Sequence, residues 1–241
     1  MLSSVFSYYH TLVQWLFTRL YHEFAWLYDH IAALVSWGHW DDWVVAIADQ
    51  VHGDVLELGC GTGYLQAELG GRSPAHLVIG LDLSPQMLRL SQQRSQKLAL
   101  PLHVLRANAQ QIALVPQRFD TIVATFPSDY ILQAATLAEV QRLLRPHGRF
   151  VVLLSASLPG PGWYRSLVEL AYKLTLQAGS KKQAIQPESD ELTPMIMGHY
   201  QEQALVDSLQ QRLYAAGLEG RSFILESHAG QLFGIIAQPI S

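Results

Sequence analysis

The chain has 241 residues with a single cysteine, and its 16 Lys and Arg residues are outnumbered by 20 Asp and Glu residues, giving a net charge of −4. This length suits one main domain, and the acidic balance argues against a nucleic-acid partner because it offers no basic field for a phosphate backbone. One cysteine excludes an intramolecular disulfide and a CxxC metal site, which is typical of a reducing, cytoplasmic setting. Neither a signal peptide nor a membrane-spanning segment is predicted, because the first residues lack a basic region and polar residues interrupt the apolar N-terminal stretch.

The first 52 residues are predicted to form a helical lid that covers a substrate. Residues 2–35 repeat apolar side chains at three- and four-residue spacings, and this stripe is rich in aromatic residues. Residues 40–51 form a second helical stretch. The first helix fits either a lid over an apolar acceptor or an amphipathic helix in peripheral contact with a membrane. Arg19 is the only Lys or Arg in it that could meet anionic head groups, which favours the lid.

From residue 53 onward, short apolar segments alternate with helical ones. Strands are predicted at 55–58, 76–82, 103–107, 119–125 and 149–154, with helices at 63–70, 85–99 and 131–144. This alternation predicts an α/β domain over residues 53–241, with a mostly parallel sheet and helices on both faces. The segment Pro146-His147-Gly148 is predicted to turn sharply between the last of these helices and the strand that follows it.

The alternation of predicted strands and helices is interrupted after the fifth strand. A Pro-Gly-Pro-Gly segment at 159–162 and the polar run that follows a helical stretch predict a helical insertion at about 156–201. Helix resumes near 202–216, and two strands at 221–227 and 232–238 are expected to pair antiparallel. These two strands bring the predicted sheet to seven.

The strongest signal for a ligand is a glycine-rich turn that joins the first strand to a helix. Glycines at 59, 61 and 63 permit a tight turn and let a ligand approach the backbone. The third glycine comes earlier than in the usual phosphate-binding pattern, and the carboxylate of Glu57 would repel a phosphate but tolerate a cationic amino-acid group. Asp82 follows the next strand about 20 residues later, where a carboxylate can accept both hydroxyls of a ribose. Together these features predict an adenosyl ligand.

Two segments carry a resemblance to a known family. Residues 55–63 (VLELGCGTG) resemble the first motif of class I S-adenosylmethionine-dependent methyltransferases, and residues 80–88 (GLDLSPQML) resemble the second. Segments near 106–109, 119–124 and 144–150 are similar to later core elements of that family. The resemblance implies a Rossmann-like fold that binds S-adenosylmethionine and releases S-adenosylhomocysteine. The residues that it implies for donor binding in this part of the chain are Glu57, Gly59, Cys60, Gly61, Gly63, Asp82, Leu83, Met87, Asn108, Ala109 and Thr125.

The region ahead of the first motif resembles that of the ubiquinone/menaquinone C-methyltransferases, with Tyr28-Asp29, then Ser36-x-Gly38, and tryptophans nearby. In that group a helical lid covers the donor site. The resemblance therefore implies that Tyr28 and His39 lie over the ligand. For Tyr28 core packing is an equal alternative, and for His39 a purely structural role is the alternative.

Candidate catalytic residues are few, because methyl transfer from a sulfonium is a direct displacement that needs a base only if the nucleophile must lose a proton. His39 is the best candidate for a general base, because histidine is the side-chain type that most readily exchanges a proton near neutral pH. Asp129 and Tyr130 lie in the loop after the fourth strand, at the sheet edge where α/β proteins bind ligands. Asp129 fits a helix cap equally well. No metal is predicted, since no HxH, CxxC or carboxylate cluster occurs.

The sequence thus predicts a methyltransferase for a small, apolar or aromatic acceptor. A phospholipid head-group N-methyltransferase is an alternative within the same family. A nicotinamide-dependent oxidoreductase is disfavoured by the glycine spacing and by Glu57. A non-catalytic protein that binds an adenosyl ligand would carry the same donor motifs. The sequence does not predict the acceptor, the methylated atom or the oligomeric state.

Overall fold

The computed structural model describes residues 33–34, 36–72, 77–127, 129–157, 202–228 and 230–240. Nearly all of the predicted helix over residues 2–35, including Tyr28, lies outside the described residues. The same is true of almost all of the predicted insertion at 156–201. None of the helices in the described ranges is long and apolar enough to cross a membrane.

A seven-stranded sheet forms the centre of the fold, with strands in the order β3-β2-β1-β4-β5-β7-β6. The strands β1 to β5 are mutually parallel, and β7 pairs antiparallel with both β5 and β6. Their bounds are Val55–Leu58, Val78–Asp82, His103–Arg106, Phe119–Thr125, Leu144–Ala156, Leu218–Ser227 and Gly230–Pro239 for β1 to β7. The prediction of a mostly parallel, Rossmann-like sheet that ends in an antiparallel pair is therefore confirmed.

Five α-helices in the described residues flank this sheet. They are α1 at Trp40–Ala48, α2 at Tyr64–Arg72, α3 at Pro85–Leu98, α4 at Ala134–Leu143 and α5 at Glu202–Ala215. Local chemistry fixes the ends of α3: the Ser84 side chain accepts a hydrogen bond from the Met87 N–H, Pro85 occupies the first turn, and Ala99 adopts a left-handed conformation at the C-terminus.

Two hydrophobic clusters divide the core. Adjacent strand residues belong to different clusters: Leu56 and Ile122 pack with α4 and α5, whereas Val55 and Val123 pack with α1 and α2. Successive side chains of a strand point to opposite faces, so a strand covered on both faces is mostly apolar along its length. This is why the central strands are rich in apolar residues, with Glu57 and Thr121 as buried polar exceptions.

Two local predictions differ from the structure. The predicted turn at 146–148 lies inside β5, where the pairing with β4 shifts between Leu144 and Arg149. A bulge of this kind accommodates Pro146, which has no N–H to donate to the ladder. The predicted helix at 131–144 is divided into a 3₁₀ turn at Asp129–Leu132 and α4, because Gln133 is extended.

Candidate functional site

A cavity of about 600 Å³ opens at the carboxyl ends of β1, β2 and β4. This edge of an open α/β sheet is where such folds bind ligands. The residues that line the cavity are Gly59, Gly61, Leu81, Asp82, Leu83, Met87, Ala107, Asn108, Ala109, Gln110, Thr125, Phe126, Pro127 and Tyr130. Most of the residues predicted to bind the donor are thus brought together around one cavity.

The glycine-rich turn forms one wall, and its three glycines have different environments. All three have positive φ angles, of 73°, 52° and 80° for Gly59, Gly61 and Gly63. A Cβ added at Gly61 would meet no atom within 4 Å, so this position leaves open space for a ligand to approach the backbone. A Cβ at Gly63 would lie 2.5 Å from the Ser91 hydroxyl, so this glycine permits close packing against α3.

Asp82 joins the two motifs at the end of β2. Its Oδ2 accepts a hydrogen bond from the Gly61 N–H at 2.9 Å, and its Oδ1 accepts one from the Ser84 N–H at 2.8 Å. Burial raises the pKa of Asp82, although these backbone hydrogen bonds oppose the shift. The carboxylate is therefore held rigidly at the cavity wall, where each oxygen retains a lone pair for a hydroxyl donor.

Glu57 is the most unusual group of the site. It is 2% exposed, and its Oε2 has no hydrogen-bond partner among the described residues. Burial, followed by the charge of Asp82, raises the pKa of Glu57 to about 8. It lines a small pocket of about 30 Å³ that shares Gly59, Gly61 and Thr125 with the main cavity. A buried carboxyl oxygen without a partner is costly, and a cationic ligand group would satisfy it.

The far wall is formed by α3 and by the loop after β3. Met87 is buried at the start of α3, and Asn108, Ala109 and Gln110 line the loop side. The Asn108 Oδ1 accepts a hydrogen bond from the Gln110 N–H at 3.0 Å, which stabilises the turn. One lone pair of this oxygen remains available to a ligand.

An aromatic cluster borders the cavity after β4. Phe126 packs against Trp40, with ring centroids 5.1 Å apart, and against Trp43, at 5.5 Å. The backbone of Phe126 has a φ of 47°, a strained conformation for a residue with a side chain and one that clusters at functional sites. Sequence reasoning did not select Phe126 or Trp40 as site residues. The signal for Phe126 was its place in the loop after β4, and the signal for Trp40 was the aromatic segment ahead of the first motif.

The predicted catalytic residues occupy different places. Tyr130 lines the cavity, and its hydroxyl lies 2.5 Å from where a Cβ on Gly59 would stand. His39 precedes α1, its Nδ1 lies 2.7 Å from the Asp42 Oδ2, and it is absent from the cavity lining within the described part of the chain. Asp129 begins the 3₁₀ turn, and its side chain lies outside what the structure describes.

Cys60 is predicted to be chemically inert in the folded protein. It is 5% exposed, and burial, together with the charges of Glu57 and Asp82, raises the pKa of its thiol. We therefore expect iodoacetamide at pH 8 to label the folded protein orders of magnitude more slowly than the urea-unfolded protein, since the thiolate is the reactive form. Mass spectrometry of the single thiol measures both rates. Rapid labelling of the folded protein would contradict the burial of this loop.

Comparison with known proteins agrees with the geometry. Residues 55–148, which run from β1 into β5 and include the cavity lining, match the family described as "Methyltransferase domain". This part of the chain is therefore similar to a methyltransferase domain. Within the described residues, no group of three or more His, Cys, Asp or Glu side chains is placed to hold a metal ion.

Relatives of the chain include proteins whose names concern quinone methylation. The chain is 31% identical over 142 residues to the demethylmenaquinone methyltransferase of Thermus thermophilus, covering 56% of this chain and 63% of that protein. It is 32% identical over 158 residues to the ubiquinone/menaquinone biosynthesis C-methyltransferase of Dinoroseobacter shibae, covering 63% and 62%. Each match therefore spans less than two thirds of the relative.

The fold of the chain recurs in solved structures. An S-adenosylmethionine-dependent methyltransferase from Clostridium acetobutylicum superposes with a TM-score of 0.57 at 16% identity, covering 89% of this chain and 98% of that one. At this identity the likeness describes the fold alone.

Proposed function

We propose that the chain is an S-adenosylmethionine-dependent methyltransferase that acts on a small, apolar or aromatic acceptor. The observation that carries this proposal is the convergence of three features at the cavity and the small pocket that adjoins it. These features are the open backbone at Gly61, the fixed carboxylate of Asp82 and the Glu57 carboxyl oxygen that has no partner among the described residues. A hydroxyl-rich and cationic ligand such as S-adenosylmethionine satisfies all three. Bound there, this donor would supply a methyl group activated by a sulfonium.

Each wall of the cavity suits one part of the donor. Asp82 can accept hydrogen bonds from the two ribose hydroxyls, and Glu57 can pair with the ammonium of the methionine part. Met87 and the Asn108–Gln110 turn then face the adenine. Gly59, Gly61, Cys60 and Thr125 surround the methionine end, where Glu57 is buried. The proposed donor-binding set also includes Leu83, Ala109 and Gly63, and Gly63 contributes by packing against α3. The role of Tyr28 stays a prediction.

The aromatic cluster supports the acceptor class. Phe126 lines the main cavity beside Thr125, and Trp40 lines the small pocket that the same Thr125 borders. Aromatic side chains favour flat, apolar partners, which they contact over large areas in stacked or edge-to-face arrangements. The names of the two relatives concern quinone methylation, and a quinol ring is an acceptor of this kind. The phospholipid head-group alternative has no comparable support.

Tyr130 is the residue that we propose for the acceptor side. Its hydroxyl lies over Gly59 at the cavity, where it can donate a hydrogen bond to an oxygen of the acceptor. His39 and Asp129 stay predictions as bases. We also propose that the protein is cytoplasmic and does not bind nucleic acid. Residues 1–52 would form the lid, and this lid would make peripheral contact with membranes when the acceptor is lipophilic.

Calorimetric titration with S-adenosylmethionine, S-adenosylhomocysteine and NADH tests the donor site. We expect both adenosyl ligands to bind with micromolar affinity and NADH to show no heat of binding. Transfer of a labelled methyl group to a detergent-solubilised naphthoquinol, compared with transfer to phosphatidylethanolamine vesicles, then tests the acceptor. Selective binding of NADH would overturn the proposal, and methylation of the lipid alone would replace the acceptor class.

A further inference from the structure

An ion pair outside the cavity holds the loop that forms its far wall. Residues 107–114, called here the rim loop, connect β3 toward β4 and include four residues of the cavity lining. Glu139 and Arg142 lie on α4, beside the other end of this loop. Neither of these two side chains is among the residues that line the cavity.

The pair binds the backbone of the rim loop through three charge-assisted contacts and is itself held together by two more. Arg142 donates to the Leu114 carbonyl at 2.8 Å and to the Ile112 carbonyl at 2.7 Å. The Glu139 Oε2 accepts from the Ile112 N–H at 2.8 Å and from Arg142 at 2.7 Å. A second contact of 2.9 Å, from Arg142 Nε to Glu139 Oε1, makes the pair bidentate. The Ile112 N–H is thus bound by Glu139 and the Ile112 carbonyl by Arg142, so the ion pair satisfies both backbone polar groups of this residue.

These contacts take the place of regular secondary structure. The rim loop belongs to no helix or strand, so its buried backbone groups need other partners. Ile112 is 4% exposed, which anchors the loop in the core beside α4. Hydrogen bonds of the Glu139 carboxylate with Arg142 and with the Ile112 N–H lower its pKa despite burial, so the pair is ionised at neutral pH.

The anchored end is coupled to the ligand-facing end by a tight turn. The Gln111 N–H donates to the Asn108 carbonyl at 3.0 Å, and the Gln110 N–H donates to the Asn108 Oδ1 at 3.0 Å. Ile112 follows this turn directly. A shift of Ile112 would therefore move Asn108, Ala109 and Gln110 as a unit, away from the position where they face the ligand.

We propose that Glu139 and Arg142 are positioning residues that fix the rim loop for recognition of the adenine ring. This inference rests on the proposed function, because it assumes that an adenosyl ligand occupies the cavity. The pair acts through the backbone of Ile112 and Leu114 and not by contact with the ligand. Recognition of the adenine base would then depend on an ion pair on α4, outside the cavity.

The test compares two probes, S-adenosylhomocysteine and S-inosylhomocysteine, which differ only at the edge of the base. In the Arg142→Gln variant, calorimetry should show S-adenosylhomocysteine binding weakened roughly 2- to 30-fold, the range for remote residues that modulate a site. The preference for adenosyl over inosyl ligand should fall in parallel. Arg72→Gln is the matched control, because Arg72 forms ion pairs with Asp49 and Glu68 away from the cavity. This variant should keep both the affinity for S-adenosylhomocysteine and the preference for the adenosyl ligand.

The outcomes separate this inference from the proposed function. Failure of the parent protein to bind S-adenosylhomocysteine would refute the proposed function. Binding by the parent without preference for the adenosyl ligand, or a lower melting temperature in Arg142→Gln with an unchanged preference, would overturn the positioning role. If Arg142→Gln does not fold, Glu139→Gln is measured against the same criteria, since it removes the negative charge of the pair but keeps one oxygen for the Ile112 N–H.

Discussion

A Glu57→Gln variant is expected to bind S-adenosylmethionine roughly 10- to 150-fold more weakly than the parent protein, the cost of losing a charged hydrogen-bond partner. The carboxyl oxygen of Glu57 that lacks a partner in the described structure is the group proposed for the donor's ammonium. Glutamine keeps the shape of the side chain but cannot carry the charge. Calorimetric titration at pH 7.5 measures the loss, and Glu68→Gln on the surface of α2 is the control.

The same substitution should change how stability depends on pH. Glu57 has a pKa of about 8 in the folded protein against an ordinary value of 4.5, so the folded state holds its proton more tightly than the unfolded chain. Its contribution to stability is full below pH 4.5, decreases as the pH rises toward 8 and is constant above. The slope reaches at most about 1.4 kcal/mol per pH unit. In Glu57→Gln this slope is absent.

Asp54 and Asp120, whose pKa values are lowered, do not obscure this effect. Burial alone would raise the pKa of Asp54 and of Asp120, but hydrogen bonds from Arg118, Arg145 and the backbone outweigh it and lower both values. Their contribution is present above the ordinary carboxyl pKa and is lost as the pH falls, so it acts in a more acidic range. Urea unfolding of parent and variant between about pH 5 and 8.5 isolates the Glu57 contribution as the difference in slope.

Donor binding should release a proton if Glu57 pairs with the ammonium. The affinity of the parent protein should then rise between about pH 6 and 8, by at most tenfold per pH unit, and the binding enthalpy should depend on the ionisation enthalpy of the buffer. Both effects should vanish in Glu57→Gln. Equal affinity and an equal pH profile in parent and variant would show that the ammonium binds elsewhere.

The sequence was sufficient for the fold because its information is local. The central strands are buried on both faces, so Leu56 and Val123 sit in short, mostly apolar segments that predict a parallel sheet. The glycines and Asp82 were equally visible, since a turn that needs positive φ and a carboxylate at a strand end leave a recognisable spacing. Asp129 was selected by its place in the loop after β4 and His39 by a resemblance ahead of the first motif, and neither signal places a side chain in the cavity.

What the sequence could not show depends on contacts between distant residues. Arg142 and Ile112 are 30 positions apart, and no spacing rule connects an arginine on a helix to one carbonyl of a loop. The left-handed backbone of Phe126 is stabilised by packing against Trp40 and Trp43, far earlier in the chain. The bulge in β5 likewise follows from pairing with β4, whereas Pro and Gly in sequence indicate a turn equally well.

Replacing Asp82 with alanine is the most direct test of the ribose site. The variant should bind S-adenosylhomocysteine roughly 10- to 150-fold more weakly, because it loses a carboxylate proposed to accept two hydroxyls. Some of that loss could come from the loop, since the Asp82 carboxylate also accepts from the Gly61 and Ser84 N–H groups. Affinity for one ligand therefore does not separate hydroxyl recognition from support of the turn.

A second ligand separates the two effects. The analogue of S-adenosylhomocysteine that lacks both ribose hydroxyls should bind the parent protein weakly, and Asp82→Ala should lower its affinity only by the part due to the loop. The difference between the two losses is the energy of the Asp82–ribose contact, as in a double-mutant cycle. Asp82→Asn, which retains one carbonyl oxygen, should fall between parent and alanine variant for the complete ligand. If alanine weakens both ligands equally, Asp82 supports only the glycine-rich turn, and the ribose must bind to other groups of the cavity wall.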